Sequence, residues 1–152
     1  MIWIGIDPGL RTGAIAAIDH NGNFVGAHDI VAVQDRIDAR ALKQMILDMT
    51  IPGDDYAICL EQVWTMPKQG IASTGRFMRA FGAIGAVAEL MCERIFYVTP
   101  QVWKKAMSVT SDKNESLAAA RIAFPQATLL LKKDHGKAEA LLIAEYARRT
   151  FS

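Results

Sequence analysis

An α/β fold built on one mixed five-stranded sheet flanked by helices is predicted by three observations. The chain opens with an apolar hairpin pattern, carries a second buried-strand pattern at residues 56–63 that is reached through a helix, and then alternates helical spacings with one further short strand.

The opening segment reads MIWIGIDPGLRTGAIAAID. Ile2, Ile4 and Ile6 alternate with Trp3 and Gly5, and Ala14 to Ile18 is apolar again, so two core strands are joined by a turn around Gly9 to Gly13. Asn21-Gly22-Asn23 is a second turn signal, and Phe24 to Val33 has the β-branched and aromatic content of a third strand, completing an antiparallel meander. Asp38 to Met49 places Ala41, Leu42, Met45, Ile46 and Met49 at helical spacing, with Asp38 or Asp35 available to start the helix, and Pro52-Gly53-Asp54-Asp55 ends it. Tyr56 to Val63 is a short apolar run between turn residues, which suits a buried strand parallel to the first and joined to it by a right-handed crossover.

Beyond a loop at Pro67 to Ile71, Thr74 to Glu93 reads as one long helix rich in glycine and alanine. Each interior glycine costs about 1 kcal/mol relative to alanine, so Gly75, Gly82 and Gly85 point to a surface on which another helix approaches closely. Ile95 to Val98 is a strand, Pro100 to Ala106 a short helix, Ser108 to Lys113 a polar loop, and Glu115 to Phe124 a helix stopped by Pro125. Lys132 to Gly136 precedes a last helix through Tyr146. This order of elements is that of a ribonuclease-H-like sheet.

At 152 residues the chain suits a single domain able to bury roughly two-thirds of its unfolded surface without disulfides or structural zinc. Cys59 and Cys92 lie in apolar stretches with no metal-ligand spacing, as expected of reduced thiols in a cytosolic protein. No run approaches about 18 apolar residues, so no membrane span or signal peptide is expected. The charge is unevenly distributed: residues 1–61 hold 4 basic and 9 acidic side chains, residues 62–152 hold 13 and 7. Carboxylates gathered in one place and a basic surface elsewhere fit a partner that is a polyanion.

Asp7 ends the first strand, and Glu61 interrupts the second apolar run as Leu60-Glu61-Gln62-Val63. A buried charge is costly unless it is paired, hydrogen-bonded or bound to a cation, and Arg11 is the one obvious local partner for Asp7, whose Asp-Pro-Gly setting also serves a turn. On parallel neighbouring strands the two carboxylates emerge at the same sheet end, where a divalent cation turns their repulsion into coordination, and oxygen-only ligands suit magnesium or manganese. A third group comes from KKDHGKAEALL, in which His135 and Glu139 share a helix face and Asp134 is either a helix cap or a further ligand. Two cations about 4 Å apart held by such groups can activate water and stabilise the departing oxygen in phosphodiester cleavage. There is no GxxxxGK[ST] phosphate loop and no spacing that suggests a covalent nucleophile.

With Asp7 in GIDPGLRTG, Glu61 in LEQVW and the late helix KAEALLIAEYA, the chain resembles the RuvC family of Holliday-junction resolvases, in particular its compact phage-type members, nearly end to end. The first motif is shared with YqgF-type RNA-processing nucleases and with the phosphate loop of sugar kinases and actin-like ATPases. The later acidic strand and helix distinguish RuvC. The resemblance implies a homodimeric endonuclease in the cytoplasm of a bacterial cell that cuts four-way-junction DNA symmetrically, in recombination and repair or in phage DNA processing. It implies Mg2+, with Mn2+ as substitute and two ions per site.

Asp7 and Glu61 match family ligands directly, as does Glu139, but the family's first ligand on the last helix falls on Gly136, which cannot coordinate. Asp134 is then the expected replacement, with His135 as general acid/base or auxiliary ligand. Trp64 matches an aromatic that stacks on bases at the junction centre, worth about 1 to 3 kcal/mol per base. Lys104, Lys105 and Lys113 match a basic stretch that meets phosphates, and Lys68, Arg76, Arg79 and Lys137 extend it. The small-residue helix, filled by Phe77, Phe81 and Ile84, is the expected dimer surface. A YqgF-like RNA-processing nuclease or a general branched-DNA nuclease is the alternative. An actin-like or sugar-kinase phosphotransferase needs a second domain for which 152 residues leave no room.

Overall fold

The computed structural model describes residues 1–63 and 70–152. The two opening strands form as their patterns require: β1 (Ile2–Asp7) pairs antiparallel with β2 (Ala14–Asp19), from Ile2 opposite Asp19 to Asp7 opposite Ala14. β2 pairs in turn with β3 (Phe24–Asp29). The third strand is shorter than the predicted Phe24 to Val33. Ile30 turns inward, its amide donating to the Gly13 carbonyl, and a separate hairpin of β4 (Ala32–Val33) and β5 (Arg36–Ile37) follows.

Helix α1 (Ala39–Asp48) starts at Asp38, whose carboxylate accepts from the Arg40 and Ala41 amides at 3.0 Å, the capping geometry that satisfies otherwise orphaned donors. The crossover brings β6 (Tyr56–Glu61) parallel to β1, and β7 (Ile95–Val98) adds parallel to β6. The sheet order is β3-β2-β1-β6-β7, the mixed five-stranded sheet that the sequence predicts. Helices α2 (Ile71–Met91) and α4 (Lys113–Ala123) begin earlier than their periodicity suggested, α4 because Asp112 caps it by accepting from the Asn114 amide at 2.8 Å. α3 (Pro100–Ala106) is as predicted, and α5 (His135–Phe151) runs five residues beyond Tyr146. Its end is docked by Phe151 stacking on Phe96, with ring centroids 4.0 Å apart.

Strand alternation divides the core between two layers of helix. Ile2, Ile4, Ile6, Ile58 and Leu60 face α1 and α2, against Leu42, Ile46, Ile84 and Ala88. Trp3, Ala57 and Cys59 face the opposite way, against Leu141 and Ala144 of α5, Trp103 of α3 and Leu117 of α4. Asp7 and Glu61 have the parity of this second set and so project toward α5. The helix is buried without a break from Ala138 to Ala147 and lies directly on the sheet at Gly5, where an added Cβ would stand 2.1 Å from the Ala140 carbonyl oxygen and 2.5 Å from the Ala144 nitrogen.

The outward face of α2 is not the one expected. Ile84 is fully buried and Phe81 packs on the core, while Gly75, Met78, Gly82 and Ala86 are exposed. No helix among the described residues is long and apolar enough to cross a membrane.

Because both atoms that crowd Gly5 are backbone, Gly5→Ala requires α5 to shift bodily off the sheet. It is expected to destabilise the fold by about 3 kcal/mol, the upper end for overpacking, measured by urea unfolding.

Candidate active site

β1 and β6 run parallel and in register to Ile6 opposite Leu60, and each ends on its carboxylate, Asp7 on β1 and Glu61 on β6. Glu139, in the second turn of α5, is the third member: its charge acts on both. Burial above all, then the charges of Glu61 and Glu139, push Asp7 well above the usual carboxylate range, with Lys113 and Lys104 pulling the other way. Glu61 is also raised, by burial first and by Glu139, against the hydrogen bond from Trp103 and the charge of Lys104. Three elements distant in sequence thus gather three carboxylates at the carboxyl end of the two central parallel strands, the customary place for ligands in such sheets.

Arg11 does not neutralise Asp7. It is exposed and stands 3.5 Å from Asp35 instead. The groups that do hold the carboxylates come from α3 and α4. The Trp103 indole N–H donates to Glu61 Oε2 at 2.5 Å, both residues being buried. Lys104 Nζ lies 2.8 Å from Glu139 Oε1, which also accepts from Ser116 Oγ at 3.3 Å. The Lys104 ammonium sits 5.1 Å from the centroid of the Trp103 ring. Sequence reasoning missed Trp103 and Ser116. A tryptophan amid the polar end of a short helix was the available signal, because a buried indole N–H needs an acceptor.

Asp134 is not brought to this cluster. It is buried, yet its Oδ1 is 2.9 Å from Lys137 Nζ and its Oδ2 accepts from the Leu131 amide at 2.8 Å. The hydrogen bond from Lys137 holds its carboxyl below the ordinary value, as expected for a paired structural acid. Lys137 also reaches the exposed Asp29 at 3.8 Å, so this lysine, expected at the DNA surface, is paired with one buried and one surface carboxylate. Gly136 is a contact position: a Cβ there would lie 2.3 Å from the Thr12 carbonyl oxygen, leaving no room for the aspartate that the family pattern places there.

His135, one residue earlier, is half-buried, and its Nδ1 is the one buried side-chain nitrogen or oxygen without a hydrogen-bond partner among the described residues. Lys105 and Lys113 are exposed, as is Arg76 on α2, whereas Trp64 and Lys68 lie outside the described residues. Arg79 donates to the Asp35 carbonyl at 2.7 Å.

The donor set suits a hard divalent cation in its chemistry, since it is oxygen-only, anionic and poorly compensated. A cation already occupies part of it in the form of the Lys104 ammonium. With Glu61 turned to Trp103 and Glu139 turned to Lys104, no three Asp, Glu, His or Cys side chains among the described residues are gathered closely enough to hold a metal ion.

No protein-family model matches the chain, and no curated protein is similar to it in sequence. Solved structures are similar throughout. The structure of Thermus thermophilus RuvC in complex with Holliday junction substrate matches at TM-score 0.71 with 16% identity, over 99% of this chain and 97% of that one. A second Thermus thermophilus RuvC structure matches at TM-score 0.66 with 18% identity, over 98% and 96%. From end to end, therefore, this chain has the RuvC fold, the ribonuclease-H-like mixed sheet with its flanking helices.

Proposed function

We propose that this chain is a divalent-metal-dependent endonuclease that resolves four-way DNA junctions by symmetric hydrolysis of opposed strands. The observation that carries this reading is the convergence of Asp7, half-buried, with the buried Glu61 and Glu139, their charges opposing one another, beneath a basic rim of Lys104, Lys105 and Lys113. It is supported by the likeness in fold to a RuvC bound to a Holliday junction.

Asp7, Glu61 and Glu139 hold magnesium, two ions per site, with manganese as substitute. When bound, such ions supply activation of water and stabilisation of the leaving oxygen. Trp103 fixes the Glu61 carboxylate, and Ser116 fixes that of Glu139. His135 takes the place that Gly136 and Asp134 leave open, its unpartnered Nδ1 being a group that can accept or deliver a proton, or donate a lone pair. Asp134 serves the turn ahead of α5. Lys105 and Lys113 take phosphates, each contact adding about −0.9 to the salt slope on duplex DNA. Arg76, Lys68 and a stacking Trp64 extend the contact toward the junction centre. The chain acts as a homodimer joined through the exposed face of α2, where Gly75, Gly82 and Ala86 allow close approach.

Incubation with a synthetic four-way junction, a linear duplex and an RNA hybrid tests the reading. Paired symmetric nicks in the junction alone, dependent on Mg2+, are expected, and equal cutting of the linear duplex or preference for RNA would sink it. Asp7→Asn and Glu61→Gln are each expected to lower cleavage on the order of 10³-fold while leaving junction binding intact in a gel-shift assay.

Asp7 also carries a stability signature. Its raised value means that the folded protein resists ionising it, so stability is lost as pH climbs from the ordinary carboxylate range through that raised value. In EDTA at neutral pH, Asp7→Asn is expected to melt about 3 °C above the wild type by calorimetry, the shift that 1 kcal/mol makes at this size. The advantage should vanish once acid has protonated Asp7 in both states.

A further inference from the structure

Lys104 occupies an unusual position between two environments. On one side its ammonium is bonded to Glu139, with the two side chains only 17% and 8% exposed, and its charge acts on Asp7 and Glu61 as well. On the other side it lines an open cleft of about 340 Å³ with Pro100, Gln101, Lys105, Thr110 and Ser111. That cleft offers a second ammonium and two hydroxyls, the donors that a phosphate diester takes. The lysine stem is long and flexible, and its three N–H donors suit a point-like partner in either direction.

We propose that Lys104 is a displaceable counter-ion and a positioning residue acting through Glu139. In the free protein it neutralises Glu139, and it moves to a backbone phosphate seated in the adjoining cleft when DNA binds, releasing Glu139 to a divalent cation. This inference rests on the reading of Asp7, Glu61 and Glu139 as cation ligands. It accounts for a site whose donors have the right chemistry yet are not gathered for a metal as they stand. An ammonium and a divalent cation compete for the same Glu139 oxygen, so the metal binds poorly while the lysine remains. A phosphate attracts the lysine away and adds negative charge beside the site, so DNA and metal strengthen each other's binding, as linkage requires. The protein thereby avoids holding a loaded hydrolytic centre in the absence of substrate.

Electron paramagnetic resonance titration of Mn2+ tests this on the full chain, with DNA-only blanks subtracted. Without DNA, Lys104→Met is expected to bind Mn2+ about tenfold more tightly than the wild type, a coupling in the usual range. Lys104→Arg, which keeps the charge, should restore weak binding. Adding a linear duplex should tighten Mn2+ binding to the wild type by a larger factor than binding to Lys104→Met, in which only the added phosphate charge acts. Equal Mn2+ affinity of DNA-free wild type and Lys104→Met would overturn the role of Lys104 alone. Absence of Mn2+ binding by every variant, with and without DNA, would overturn the cation-ligand reading along with it.

Discussion

The contact on which the rest of this molecule depends is the seating of α5 directly on β1 at Gly5. No side chain separates the helix from the strand there, because an added carbon would fall on the Ala140 carbonyl and the Ala144 amide. Alanines 138, 140, 144 and 147 keep the helix close to the sheet elsewhere along its length. The Gly136 contact with the Thr12 carbonyl pins its first turn to the loop that follows Asp7. A helix held by backbone against backbone has little freedom to slide. Glu139 is thereby delivered to Asp7 and Glu61 by the same packing that makes the core.

What distinguishes that cluster from other buried acids is the lack of full compensation. Glu145, also on α5 and equally buried, accepts from Arg148 at 2.8 and 2.9 Å and from Arg149 at 2.6 Å. Asp134 is similarly answered by Lys137 and the Leu131 amide. These two are paired acids of the kind that stabilises a fold or is neutral to it. Glu61 and Glu139 instead raise Asp7, and Glu139 raises Glu61, with one indole, one hydroxyl, the Lys104 ammonium and the charge of Lys113 to set against three carboxylates. An arrangement that costs folding energy in the absence of a ligand is characteristic of a site that binds one.

The basic residues also divide by tertiary placement. Lys137 is spent on the buried Asp134 and the exposed Asp29, and Arg11 and Arg79 both serve the Asp35 hairpin tip, one through its carboxylate and one through its carbonyl. Gln34 and Asp35 at that tip hold positive φ, of 49° and 56°, so the two arginines brace a strained turn. Lys104 stands at the boundary, internal by its bond to Glu139 and external by the cleft it lines.

By itself the sequence determined β1, β2, β6 and β7, the mixed sheet they build and the two carboxylates that end its central pair, but not the end of β3 or the β4–β5 hairpin. Alternation of period two is local, and a lone Asp or Glu closing an apolar run is visible without knowing what lies opposite. The shared parity of Asp7 with Trp3, and of Glu61 with Cys59, was equally legible, whereas the α1 cap was narrowed only to Asp38 or Asp35 until the structure chose Asp38. The tertiary structure alone decided that Asp134 turns to Lys137 and the Leu131 amide while the charge of Glu139 acts on that pair, since a helix start offers several acids within about one turn and the α5 seat on Gly5 and Thr12 sets their placement. It alone decided that α2 turns Ile84 inward and Gly82 outward, because a helix of small residues has no strong apolar stripe to orient it. It alone assigned Trp103 and Lys104 to Glu61 and Glu139, pairings 42 and 35 residues apart that no local pattern encodes.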